Sequence, residues 1–248
     1  MRTMTRMETS CAALLGLLGM SACANSSDNS LPDSGGPDAA VGSSDAGPGD
    51  ILPENLIDDL EDGDSQLLAR GGRAGSWYTY NDQTVSGQQT PAMGSPFMPS
   101  PGGAQSSAFA ANTSGMGFTV WGAGMGFDLN SQMSVKHTYD ASAFHGIEFK
   151  AKGSGPVRAA VMIAGVISSD VGGACTPSTV AGQGCDDGHG SVLFLTSEWA
   201  NYKLAFSDIR QAGWGKPVVF DSTTLMSIQF NVDKNLAFDF AVDDIGFY

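Results

Sequence analysis

Three sets of side chains stand close enough in this sequence to do chemistry together. Carboxylates are paired at Asp58-Asp59, Asp186-Asp187 and Asp243-Asp244. Two carboxyl groups at the right separation can split a glycosidic bond, one as acid and the other as base or nucleophile. Here the pairs lie in Gly- and Asp-rich turn sequence, such as Asp62-Gly63-Asp64 and Asp187-Gly188. The chain has no Gly-x-Ser-x-Gly elbow, no His-Glu-x-x-His helix and no phosphate loop. The residues therefore point away from an enzyme.

The second set is Cys175 and Cys185, which bracket the Gly/Ser/Thr-rich run 176–184. In an exported chain such a pair reads as a disulfide. A Cys₂His zinc site with His189 is the alternative, and it is short of a fourth ligand. The spacing excludes a CxxC redox motif. The third set is aromatic. Trp77, Trp121 and Trp199 fall in strand-like or apolar company and are expected in the core. Trp214 lies between Gly213 and Gly215, where an exposed ring is expected. His137 and His145 read as surface residues.

The chain carries a formal net charge of −14 and a pI near 4.3, with 33 glycines and 15% charged residues. An acidic chain with scattered Lys and Arg argues against nucleic acid, whose phosphates need clustered cations. The glycine content and low charge suit an all-β domain.

Residues 1–22 read as an export signal. Arg2 and Arg6 precede an apolar stretch from Cys11 to Met20, shorter than the roughly 20 residues a membrane span needs. The ending Met20-Ser21-Ala22-Cys23 resembles a bacterial lipobox, which makes Cys23 the lipidated residue; an ordinary cleaved signal is the alternative. Acyl chains on Cys23 would anchor the protein to the cell envelope or surface. Residues 23–50 hold Ser, Gly, Pro, Asp and Ala without aromatic or basic residues, and read as a disordered tether. Residues 51–248 remain for one domain.

Within that domain the apolar pattern has period two. Strands are expected at 55–61, 73–80, 107–112, 117–121, 126–129, 143–152, 157–163, 191–196, 202–206, 225–232 and 238–248. In the second of these, Trp77 and Thr79 face one way and Tyr78 and Tyr80 the other. Residues 81–105, broken by Pro91, Pro96, Pro99 and Pro101, read as one long loop. Helical periodicity is nearly absent. The expectation is a single β-sandwich, a jelly roll of about ten strands.

Residues 51–248 resemble the carbohydrate-binding jelly-roll modules of the galactose-binding-domain-like superfamily, in the form carried by myxobacterial-type surface lipoproteins. The resemblance rests on Ile57-Asp58-Asp59-Leu60-Glu61-Asp62-Gly63-Asp64, Gly72-Arg73-Ala74-Gly75-Ser76-Trp77-Tyr78 and Thr119-Val120-Trp121-Gly122-Ala123-Gly124-Met125-Gly126. It extends through Thr196-Ser197-Glu198-Trp199-Ala200-Asn201-Tyr202-Lys203, Asp208-Ile209-Arg210-Gln211-Ala212-Gly213-Trp214-Gly215 and Val242-Asp243-Asp244-Ile245. The run Cys185-Asp186-Asp187-Gly188-His189-Gly190 departs from the family, which places His and an aromatic earlier.

The resemblance implies that the first and last strands are neighbours, with a structural Ca²⁺ beside them. Glu61 and Asp244 are then its ligands, helped by Asp59 and Asp64, since Ca²⁺ takes carboxylate and carbonyl oxygens. It also implies a polysaccharide or glycan partner. Sugar binding needs aromatic faces and hydroxyl-bonding polar groups. Trp214, Tyr80 and Tyr78 would supply the first, and Arg73, Asp82, Gln211 and Asp187 the second. The alternative is a structural or adhesive envelope protein that binds another protein through the same sandwich.

Overall fold

Phe238, Phe240 and Val242 alternate with Asp239, Ala241 and Asp243 in the last strand, and this strand lies in the middle of a sheet. In the computed structural model, which describes residues 51–133 and 135–248, the chain forms fourteen strands and two short 3₁₀ turns. The expected export signal 1–22, the expected lipidation at Cys23 and the expected tether 23–50 lie outside the described residues. The strands are β1 (Leu56–Asp58), β2 (Trp77–Asn81), β3 (Gln88–Thr90), β4 (Ser100–Pro101), β5 (Phe109–Met116), β6 (Gly122–Asp128) and β7 (Ser131–Gln132). They continue as β8 (Val135–Lys136), β9 (Gly146–Gly153), β10 (Gly155–Ile163), β11 (His189–Leu195), β12 (Ala200–Ala205), β13 (Leu225–Asp233) and β14 (Phe238–Phe247).

One sheet has seven strands, in the order β12-β9-β14-β5-β3 with β1 added on β14 and β4 on β5. A second has five, in the order β11-β10-β13-β6-β2, and β7 pairs with β8 alone. Sequence neighbours mostly lie apart in these orders, which is the crossing pattern of a jelly roll. β1 pairs antiparallel with β14, Leu56 opposite Gly246, so the two ends of the domain meet as expected.

The sheets pack through their inner faces. Phe149 of β9 meets Phe230 of β13 edge-on at 5.1 Å. Trp77 stacks on Phe97 and tilts against Phe127. Ile147, Phe149 and Ala151 are all buried, as their alternation required.

Three expectations about the fold needed correction. Trp199, expected in the core, is only half-buried, with Lys152 Nζ over its ring. The expected strand 117–121 does not form: the backbone N–H groups of Val120 and Trp121, with that of Gly122, turn to the carboxylate of Asp82 at 2.8, 2.9 and 3.0 Å. Trp121 is consequently outside the core and 47% exposed. The long stretch 81–105 is also not one loop, because β3 and β4 pair with β5 within it.

Candidate functional site

In an antiparallel sheet, paired residues share a face, so the outer surface of the five-stranded sheet can be followed strand by strand. One row runs Tyr80, Gly124, Asn231, Arg158, Val192. The next runs Tyr78, Gly126, Gln229, Ala160, Gly190. A third holds Asp128, Ser227 and Met162. Their neighbours along each strand, such as Trp77, Met125, Phe127, Ile228 and Phe230, fill the core. These rows therefore face away from the other sheet.

At the β2 edge the face is aromatic. Tyr80 stacks on Trp121, with centroids 6.1 Å apart and planes 27° off parallel. The Tyr80 ring lies over Gly124, where a Cβ would stand 2.7 Å from the phenol oxygen. The phenol oxygen is buried and has no hydrogen-bond partner among the described residues, and burial holds its pKa well above the usual tyrosine value. An unpaired buried hydroxyl is costly. Beside it, Asn231 and Gln229 add amides, and the missing side chains of Gly124 and Gly126 make room for the Tyr80 ring and the Gln229 stem.

One end of the face carries a polar network. Lys136 Nζ donates to Asp128 Oδ1, to Ser227 Oγ at 3.1 Å and to Tyr78 Oη at 3.3 Å. Gln229 Nε2 donates to the same Tyr78 oxygen at 3.2 Å. Burial disfavours the Lys136 charge, but Tyr78 and Asp128 beside it hold the pKa above the ordinary lysine value. Ser76, Tyr78, Asp128, Ser131, Met133 and Lys136 line a cavity of about 460 Å³ here. The segment 184–188 forms a wall next to it: a Cβ on Gly188 would come 2.3 Å from Met162 Sδ. Arg158 Nη2 ties that wall to the face through Gly188 O at 3.1 Å and Arg210 O at 2.6 Å.

The residues singled out for sugar contact separate into two places and a buried remainder. Tyr78 and Tyr80 lie on the face. Asp82 does not point into it; its carboxylate organises the loop that presents Trp121. Trp214 is 55% exposed and lies past the β11 edge with Asp187 and Gln211. Asp187 is buried and accepts the N–H groups of Ala212, Gly213 and Gly215 at 2.9, 2.8 and 3.0 Å. Gln211 bonds Asp187 O, Lys216 O and Val218 N. Arg73 is buried and spends its guanidinium on Tyr139 Oη at 3.1 Å and Leu56 O at 2.7 Å. Trp121, Asn231, Gln229, Arg158, Lys136 and Asp128 were not anticipated. The alternation of Gln229 and Asn231 within apolar β13 was the available signal.

The acidic ends also rearrange. Asp244 turns outward to Lys150 Nζ at 2.6 Å. Asp243 turns inward and is buried, its Oδ2 accepting Ala104 N–H at 2.7 Å. Glu61 Oε1 accepts Ser107 Oγ, Ala108 N–H and Phe109 N–H at 2.7, 2.9 and 2.9 Å. Glu61 and Asp243 thus grip the same turn, 104–109. Asp59 and Asp64 cap their own turns through Glu61 N–H and Gln66 N–H. Among the described residues no three His, Cys, Asp or Glu side chains meet. With Asp244 paired to Lys150, a Ca²⁺ here would be held by carboxylate oxygens of Glu61 and Asp243, which both reach the turn 104–109, in place of the expected Glu61 and Asp244.

Cys175 and Cys185 are joined as a disulfide, Cα atoms 5.8 Å apart. His189 turns to Val218 O at 2.9 Å and meets Phe220 edge-on, which removes the zinc alternative.

No family model matches the sequence, and no curated protein matches it. Solved structures do. A family 11 carbohydrate-binding module of a cellulosomal cellulase of Clostridium thermocellum shares 17% identity over 79% of this chain and 95% of that one, with a TM-score of 0.53. A family 11 module from the same organism, in complex with a β-1,3-1,4-mixed-linked tetrasaccharide, gives 17% identity over 78% and 94%, TM-score 0.49. A family 30 module of a C. thermocellum cellulosomal cellulase gives 12% over 79% and 98%, TM-score 0.47. The domain has the jelly-roll fold of carbohydrate-binding modules.

Proposed function

We propose that this chain is a non-catalytic glycan-binding protein that holds its ligand on the outer face of the five-stranded sheet. The observation that carries the reading is the Tyr80–Trp121 aromatic platform, with Trp121 47% exposed, beside the amides of Asn231 and Gln229. Aromatic faces stack on the apolar faces of sugar rings, and hydroxyls and amides bond the sugar rim. The jelly-roll likeness supports the reading at the level of fold.

The finer part of the proposal is its setting. Export by residues 1–22 and lipidation of Cys23 tether the domain to the bacterial envelope, with 23–50 as spacer. A structural Ca²⁺ on Glu61 and Asp243 holds the seam between β1 and β14. The deciding experiment is affinity electrophoresis and calorimetry of the full-length protein against soluble mixed-linked β-1,3-1,4-glucan, xylan, mannan and pectin. Retention by at least one polysaccharide is expected, with loss in the double variant Tyr80→Ala/Trp121→Ala. Retention by none, or wild-type binding in that variant, overturns the proposal. Membrane partitioning that survives Cys23→Ser would remove the tether.

A further inference from the structure

We propose that β11 is a pairing edge for a second copy of this chain, and that the two five-stranded sheets join there into one continuous sheet. β11 is an edge strand, and among the described strands it pairs only with β10. In an antiparallel pair, alternate residues turn their N–H and C=O away from the neighbouring strand. Gly190 exchanges backbone hydrogen bonds with Arg210 at 2.9 and 3.2 Å, so it is one of the outward set. Pro156, opposite Phe194, has no N–H to exchange across the pair, which places Phe194 in the same set. Gly190, Val192 and Phe194 therefore face outward, and Arg210 occupies the first. Among the described residues the N–H groups of Val192 and Phe194 have no partner. Phe194 O receives the Tyr202 hydroxyl at 3.4 Å, which leaves it a second lone pair.

The same two residues carry apolar side chains that are 52% and 76% exposed. Native sheets guard an edge of this kind with lysine, proline, a short strand or a covering segment. Other edges of this sandwich follow that rule. β12 turns Asn201 and Lys203 to solvent. β3 is three residues long and runs into Pro91. β2 donates its Trp77 N–H to Ser65 O at 2.8 Å. Beyond Gly190, β11 has none of these guards.

The register names the occupant. When the strand is laid antiparallel on its own copy with Leu193 on the two-fold axis, Val192 of each copy lies opposite Phe194 of the other. The four open N–H groups then meet the four outward carbonyl oxygens. Two cross-strand pairs of a β-branched and an aromatic side chain form on the outer face, a favourable combination in sheets. Thr196 turns off the edge to accept Gly153 N–H at 2.8 Å, so each strand leaves the ladder before the Arg210 step of its partner. That turn brings the exposed Glu198 toward the exposed Arg210 of the other copy, an acid beside a base at each end. The net charge of −14 opposes approach, but it is screened beyond about 8 Å in physiological salt. The two-fold axis stands perpendicular to the sheet. Both outer faces therefore look the same way, and one polysaccharide surface can engage the two copies together.

The test is sedimentation equilibrium of the full-length chain carrying Cys11→Ser and Cys23→Ser, which removes the thiols outside the disulfide and any acyl anchor. A dimer is expected to fill in as concentration rises to roughly 100 μM, the weak range that suits a small interface. Phe194→Lys should weaken it about tenfold or more, while Val85→Lys, fully exposed after β2, should leave it unchanged. A cysteine trap reads the register. Across the axis Leu193 meets its own copy at a Cα distance of about 4.5 Å, within reach of a disulfide, whereas Ser191 lies opposite Leu195. Mild oxidation should link Leu193→Cys into dimers and leave Ser191→Cys unlinked. A monomer at every concentration, a dimer indifferent to Phe194→Lys, or equal linking of the two cysteine variants overturns the proposal. Polysaccharide binding by a monomer would leave the sheet-face reading intact.

Discussion

The indole N–H of Trp77 donates to Asp58 Oδ2 at 2.7 Å, with both side chains buried. Burial pushes the Asp58 carboxyl up to about 7, even though Trp77 and the Leu60 N–H favour its charged form. Asp243, in the strand that β1 joins, is pushed up to about 6, again chiefly by burial. Both folded values lie above the unfolded one near 3.9. The native state then holds more protons than the unfolded chain, and stability falls as pH rises from about 4 to about 7, levelling off above. In metal-free buffer, melting temperature should decline over that window, and Asp58→Asn should flatten the decline. An unchanged slope in Asp58→Asn would count against this assignment.

The proposed Ca²⁺ changes the sign of that trend. A cation between Glu61 and Asp243 competes with the proton on Asp243, so binding strengthens as pH rises. Adding Ca²⁺ to protein stripped with EGTA should raise the melting temperature at pH 8 more than at pH 5. Asp243→Asn should abolish the rise. Identical melts with Ca²⁺ and with EGTA at pH 8 would remove the metal from the proposal.

Gly124 seats the Tyr80 ring. A Cβ there would lie 2.3 Å from Phe230 O and 2.7 Å from Tyr80 Oη, and the first of these is backbone that cannot swing away. Gly124→Ala should lower the melting temperature by several degrees and displace the Tyr80 ring, so that polysaccharide affinity falls as well. Near-UV circular dichroism reports the ring directly. A variant with the wild-type aromatic spectrum and affinity would show that the glycine is not needed to seat Tyr80.

Period-two alternation disclosed most of the strands, because a sheet buried on one face writes its pattern into every second residue. It placed Trp77 in the core and Tyr78 and Tyr80 opposite it. It disclosed only the end of β6, whose seven residues are all buried and whose outward positions before Asp128 are glycines. The site residues were less legible, since an Asp that binds sugar and an Asp that caps a loop look alike in sequence. Asp82, Asp187 and Glu61 each turned out to collect backbone amides. Lys136 and Asp128 meet only because the β7–β8 hairpin folds back over the sheet. Asp244, expected beside Glu61, points away and Asp243 points inward because a positive φ at Asp244, 44°, breaks the alternation between them.

The Asp82 carboxylate offers the last test, because it joins stability to the site. Burial opposes its charge, but the Thr84 hydroxyl, the N–H groups of Gly122 and Thr84, and that of Trp121 outweigh burial and hold its pKa well below the usual range. Its contribution is therefore present above the ordinary aspartate pKa and is lost only as pH falls into strong acid. Asp82→Asn replaces one acceptor oxygen by an NH₂ group, which faces either the Thr84 donors or the Val120–Gly122 amides and satisfies neither. The loop should loosen, and Trp121 should lose its fixed stack on Tyr80. The expected outcome is a modest fall in melting temperature together with a larger fall in polymer affinity and raised mobility of Trp121 in fluorescence anisotropy. If affinity and anisotropy stay at wild-type values while melting temperature drops, Asp82 supports the fold alone and does not position the platform.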